Sequence, residues 1–149
     1  MKQIFFQGGI AQFSLPSSWV EEYEQDGSGT FFDEKPVSGT LRIKVLEVKK
    51  QPTLTHEIKT AFDFIEEIGK KRAIRILSND VALARSKEKA AEAGKNLSLY
   101  FWHIGVKLTT NHFRLIVFTY TILESQEDDT NVRQELDLVN KSISEGRFT

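Results

Sequence analysis

Between Leu97 and Leu123 the chain carries a mirrored apolar pattern that leaves it little choice but a long β-hairpin. With Thr109-Thr110-Asn111 as a three-residue loop and Asn111 in the left-handed conformation that Asn tolerates, Tyr100 faces Tyr120, Trp102 faces Phe118, Ile104 faces Ile116 and Leu108 faces His112. Aromatic and β-branched cross-strand pairs of this kind each contribute roughly 0.2 to 1 kcal/mol over alanine pairs, so this side is a core face. The other side pairs Leu99 with Thr121, Phe101 with Thr119, His103 with Val117 and Gly105 with Leu115, which is less apolar but no solvent face. A sheet apolar on both sides needs a layer on each, which predicts helices over both faces.

The remaining segments supply strands and two candidate layers. Ala11–Leu15 alternates apolar and polar and stops at Pro16, and Asp26-Gly27 before Thr30-Phe31-Phe32 is a hairpin signal, since glycine supplies the positive φ of a tight turn. Thr40–Lys49 alternates but changes phase after Val45, which predicts either a β-bulge near Val45-Leu46 or a strand buried on both faces. Leu54, Ile58, Ala61, Phe62, Ile65 and Ile68 form one helical stripe, predicting a helix over Leu54–Ile68 capped by Thr53 or Thr55, with Gly69 as its left-handed end. Ala73–Leu77 and Val81–Arg85 read as strands. Ser86–Lys95, rich in Lys, Glu and Ala, reads as solvated loop with a helical turn or two. Val132, Leu136, Val139 and Ile143 define a second amphipathic helix, with Asn131 and Gln134 in capping positions.

At 149 residues the chain is the size of one domain, 1–149, and can bury roughly 70% of its unfolded surface without a disulfide or metal staple. The absence of cysteine excludes thiol nucleophiles, thiolate zinc sites and iron–sulfur clusters. With 20 Lys+Arg against 21 Asp+Glu there is no basic excess to hold a phosphate backbone, so no nucleic-acid partner is expected. The longest early apolar run, Ile4-Phe5-Phe6, is far short of a signal-peptide core or membrane span, so no membrane partner is expected and the chain reads as soluble and cytoplasmic.

No catalytic motif stands out. Gly27-Ser28-Gly29 lies between strands and lacks the third glycine and following helix of a dinucleotide site, and no GxxxxGK[ST], GxSxG, HExxH or calcium-loop pattern occurs. His103 and His112 lie roughly 16 Å apart along the hairpin and cannot share a metal, so no catalytic residue, metal site or cofactor is assigned. The neighbouring carboxylates of Glu21/Glu22, Asp33/Glu34 and Glu66/Glu67 diverge on strand or helix and are no acid–base dyads. Two surfaces are left as candidates. Phe101, His103, Thr119 and Thr121 share the partly polar hairpin face and could line a ligand pocket, unless a covering helix encloses His103 as a hydrogen-bonded core residue. Trp19, Phe31 and Phe32, in the irregular first third, are candidates for a protein-binding surface, with core packing as the alternative.

The segment Gly8–Trp19, with its Phe13-x-x-Pro16-x-x-Trp19 spacing, followed by Phe31-Phe32 and Gly39-Thr40-Leu41-Arg42-Ile43, resembles an uncharacterised bacterial family of similar length known mainly from Bacteroidetes. More distantly, the strand-rich start, middle helix, long hairpin and final helix resemble the PsbP-like fold. That fold is shared by the extrinsic photosystem II subunit P, a Ran-binding nuclear transport factor and chaperones of type VI secretion effectors. The resemblance implies an α+β fold, an antiparallel six- or seven-stranded sheet sandwiched between helices, and members that mostly bind proteins. The chain is accordingly expected to be a non-catalytic protein-binding or adaptor domain, not an enzyme, whose partner is another protein or a second copy of itself. The alternative is a small-ligand-binding or enzymatic domain with its pocket over Phe101 and His103.

Overall fold

In the computed structural model, which describes residues 1–49, 58–69 and 73–149, the described residues form ten strands and two α-helices. In chain order they are β1 (Lys2–Phe6), β2 (Ala11–Leu15), β3 (Val20–Tyr23), β4 (Gly29–Phe32), β5 (Thr40–Lys49), α1 (Ala61–Ile68), β6 (Ala73–Ser78), β7 (Val81–Glu92), β8 (Lys95–Thr109), β9 (His112–Leu123), α2 (Thr130–Ser144) and β10 (Arg147–Phe148). A seven-stranded antiparallel sheet runs β3-β4-β5-β9-β8-β7-β6, and a separate three-stranded sheet runs β1-β2-β10. The chain is α+β, and mostly antiparallel sheet.

The β8–β9 register pairs Tyr100 with Tyr120, Trp102 with Phe118 and Ile104 with Ile116, as their mirrored pattern requires. Its turn differs from expectation. Lys107 pairs with Phe113 and Thr109 with His112, so Leu108 falls in a bulge, faces no partner, and the loop is only Thr110-Asn111. Asn111 does not adopt positive φ. In β5 no bulge occurs: the register with β9 runs unbroken from Thr40 opposite Thr121 to Lys49 opposite His112. The phase change arises because Val45 packs into the core on one face while Val48 joins α1 on the other; Leu46 between them is exposed.

One face of the large sheet is covered partly by helix and partly by sheet. Val132, Val139 and Ile143 of α2 and Ile4, Phe6, Phe13 and Leu15 of the small sheet share a core with Leu41, Ile43, Trp102, Ile104, Phe118 and Tyr120. Phe13 stands edge-on to both Phe31 and Phe118, at centroid distances of 5.6 and 5.1 Å, and so locks the two sheets together. Trp102 donates its indole N–H to Asn140 Oδ1 at 3.0 Å, which satisfies the one polar atom that this side chain buries.

The first helix is shorter than its apolar stripe suggested. It starts at Ala61, with Thr60 as N-cap in a reciprocal capping box with Asp63. Starting there, the buried stripe is Ala61, Phe64 and Ile65 with Ile68 beside it, and Phe62 faces out. Gly69 is extended, not left-handed. Leu54 and both expected caps, Thr53 and Thr55, lie outside the described residues. The second helix is capped by Asp129, whose carboxylate accepts from Asn131 N and Val132 N, rather than by Asn131.

Ser86–Lys95 contains no helical turn. β7 continues through it to Glu92, and Ala93-Gly94, with φ of 51° and 75°, make the two-residue loop back into β8. The strand wins because β8 offers it an unbroken ladder from Val106 to Lys95, and a helix there would leave that edge unpaired.

Candidate functional site

The second face of the large sheet can be read row by row from the strand registers. Lys44, Val117, His103, Ala84 and Ile74 form one row; Thr30, Arg42, Thr119, Phe101 and Ser86 the next; Phe32, Thr40, Thr121, Leu99 and Glu88 the one after. Leu123 and Leu97 continue the face beyond them. The four hairpin residues Phe101, His103, Thr119 and Thr121 therefore do lie together. Phe32 joins them on this face, two strands from Thr121.

Among the described residues, α1 is the only helix on this face, and it occupies one end. Its Phe64 and Ile65 sit over Ala82, Ala84 and Phe113, with the Phe64 and Phe113 rings stacked at 4.6 Å. Gly105 sets the approach: a Cβ there would lie 2.8 Å from Ile65 Cγ1 and 2.9 Å from Phe64 Cδ1, too close for any other residue without movement. An 8-residue helix spans roughly 12 Å and the 15-residue β8 roughly 50 Å, so α1 reaches only part of the face. Beyond it, Leu97, Leu99, Phe101, His103, Val117, Thr119, Thr121 and Phe32 are all half-buried. Phe101 and His103 stack at 5.7 Å. Ser86, opposite Phe101, has a buried Oγ with no hydrogen-bond partner among the described residues.

Trp19 and Phe31 belong elsewhere. Both are core residues, at 4% and 0% exposure; Phe31 offers no docking surface, and Trp19 shows only an edge. Their alternation against Phe32 puts Phe31 inward under Phe13. Only Phe32 of that trio stays accessible, and the signal that separates it is the period of two along β4.

Ion pairs on this molecule tie elements together. Glu47 accepts from His112 Nε2 and Arg114 Nε at 2.6 and 2.7 Å; burial raises its pKa, and the hydrogen bonds, Arg114 first, with the attraction of the two side chains, outweigh that and hold it below the ordinary carboxylate range. Glu135 of α2 accepts from Ser38 Oγ, Gly39 N and Tyr120 OH, which pins the β4–β5 loop to the helix. Burial, and then that hydrogen bond, push the Tyr120 phenol far above its usual range. Among the described residues no group of three or more His, Asp and Glu side chains could hold a metal ion, and no helix is long and apolar enough to cross a membrane.

Likeness to solved structures is confined to the fold. The chain is similar to a protein of Bacteroides thetaiotaomicron VPI-5482, at 16% identity and a TM-score of 0.61, over 99% of this chain and 48% of that one. It thus spans about half the length of that relative. It is also similar to LpqN of Mycobacterium tuberculosis, a protein involved in cell envelope biogenesis, at 12% identity and 0.60, over 91% and 81%. The Saccharomyces cerevisiae Ran-binding protein Mog1p matches at 11% and 0.50, over 98% and 94%. No protein-family model matches the chain, and no curated protein matches it significantly.

Proposed function

We propose that this chain is a non-catalytic adaptor that docks another protein on the stretch of the large sheet that lies beyond α1. The observation that carries this is the row of half-buried Leu97, Leu99 and Phe101, with Phe32, Thr119 and Thr121 beside it, on a face where α1 reaches one end only. A partly exposed aromatic among aliphatic side chains on a rigid sheet is the setting in which a few residues supply most of a protein contact. Replacing Phe101 or Thr119 with benzoylphenylalanine and irradiating cells that naturally make the chain tests it. One discrete adduct at both positions, absent when the same probe replaces exposed Tyr23 and lost with Leu99→Lys, is the expected result. Equal labelling at all three positions would refute the reading.

A second reading places a small ligand on the same face, and the unsatisfied Ser86 Oγ beside Phe101 favours it, since a buried hydroxyl without a partner costs about 1 to 3 kcal/mol. Native mass spectrometry of chain purified from its own cells distinguishes the two: a retained small molecule supports the ligand, the bare chain mass the adaptor.

The finer fold assignment, PsbP-like, is part of the same proposal. Its support is the likeness to Mog1p along nearly the full length of both chains, together with a sheet carrying α1 on one face and α2 on the other. The likeness to LpqN adds the cell envelope to the cytoplasm as a place where such an adaptor would work.

A further inference from the structure

Away from that sheet face, a concavity of about 400 Å³ lies between the Trp19 turn, the segment after β4 and the first half of α2. Its volume falls within the range of small-ligand clefts. Trp19, Val37 and Leu138 supply apolar wall, and two carboxylates, Asp33 and Glu135, line it.

Both carboxylates are short of positive charge. Glu135 Oε1 accepts from Gly39 N and Tyr120 OH, each at 2.8 Å, whereas Oε2 has only a share of the single Ser38 Oγ proton, which lies 2.9 Å from both oxygens, and every one of these donors is neutral. No cationic side chain among the described residues pairs with it. Asp33 is more isolated. Its side chain is only 13% exposed, and among the described residues it accepts no hydrogen bond and has as its one ion pair a loose 3.5 Å contact to Lys35, whose side chain is 74% exposed. A carboxylate taken out of water needs charge or several donors to offset its lost hydration, and a solvent-swept lysine at that distance supplies little.

We infer that this concavity is a binding site for an organic cation, a primary ammonium or guanidinium group whose N–H donors reach Asp33 and Glu135 Oε2 while its carbon chain packs on Trp19, Val37 and Leu138. An alkylammonium or guanidinium fits better than a bare divalent cation, which would demand six or more oxygens and gain nothing from apolar walls. Lys35 occupies Asp33 in the unliganded chain and swings out when a better donor arrives. The cation is either a free amine or a Lys or Arg side chain of another protein, and the chemistry is shared.

The experiment follows the Trp19 indole N–H by NMR while cadaverine, or the blocked peptide acetyl-Gly-Lys-Gly-amide, is added at constant ionic strength. Trp102, whose indole is tied to Asn140, is the internal control. The Trp19 resonance is expected to shift saturably with at least one probe while Trp102 stays put. Saturation by cadaverine alone identifies a free amine, and by the peptide a protein side chain. Asp33→Asn should weaken binding about tenfold, the loss of one charge-assisted hydrogen bond, and Lys35→Ala should tighten it by removing the competitor. A structural role would not move the two variants in opposite directions. No saturable shift with either probe, or variants that change affinity in the same direction, overturns the proposal.

Discussion

Ser142 of α2 takes over the edge of β2 where β10 stops: its Oγ accepts from Ser14 N at 3.1 Å and donates to the Ser14 carbonyl. β10 covers this edge only at Ala11 and Gln12, so without the hydroxyl both backbone groups of Ser14 would lose their partner in a part-buried place. Ser142→Ala is therefore expected to destabilise the fold by about 1 to 3 kcal/mol. Urea unfolding checks this, with a lower midpoint at unchanged slope.

How far the sequence could reveal such a contact depends on its range. The β8–β9 pairs were legible because Tyr100, Trp102 and Ile104 and their partners repeat at a period that admits one register. Val132, Val139 and Ile143 were legible for the equivalent reason in a helix. Ser86–Glu92 was not, because its Lys, Glu and Ala favour helix intrinsically and only the long partner strand overrides them. The small sheet, and with it Ser142, was hidden because β10 is two residues long and carries no period. At the candidate site, the clustering of Phe101, His103, Thr119 and Thr121 followed from register alone. The period of two along β4 set Phe32 apart from Phe31, but that Phe32 joined this face rests on the strand order β4-β5-β9, and that Trp19 and Phe31 went to the core rests on packing against the small sheet, pairings that lie far apart in sequence.

Gly105 tests the seating of α1. The Cβ of Gly105→Ala would meet Ile65 Cγ1 at 2.8 Å, and relief requires moving the helix off Ala82 and Ala84. A loss of about 1 to 3 kcal/mol is expected, the usual result of overpacking a filled contact. Hydrogen exchange locates the effect: amides of α1 should lose protection first, while those of Trp102 and Phe118 in the opposite core keep theirs. Uniform loss across β8 and β9 would show that the helix is not the part that yields.

Ala93 offers the reverse change. At φ 51° it occupies a left-handed position that costs an alanine roughly 1 kcal/mol, in a two-residue loop whose second member is Gly94. Ala93→Asn keeps the turn and relieves that strain. A gain of about 0.5 to 1 kcal/mol is expected, read as a higher urea midpoint.

Glu127 should set part of the acid limit of stability. Its carboxylate accepts from Lys89 Nζ at 2.8 Å, Ser98 Oγ and Lys87 Nζ at 2.9 Å, and these contacts, Lys89 first, lower its pKa from 4.5 to about 2. A carboxyl whose folded pKa is depressed contributes stability that is fully present above the unfolded value and disappears as pH falls through the folded one. The window thus runs from 4.5 down to about 2. The same pairs have a basic limb: Lys87 and Lys89 are held above 10.5 chiefly by their hydrogen bonds to Glu127, so their contribution is present below that pH and lost as pH rises beyond it. In Glu127→Gln the acid limb is gone and the basic limb keeps only the contact of Lys89 with Glu124 and that of Lys87 with Tyr100. The gap in urea midpoint between the parent chain and this variant should be constant near neutrality, narrow below pH 4.5 and close near 2, and the parent's advantage should also shrink in strong base. A gap independent of pH would assign the role of Glu127 to its shape and the Ser98 contact, since those survive protonation and the charge does not.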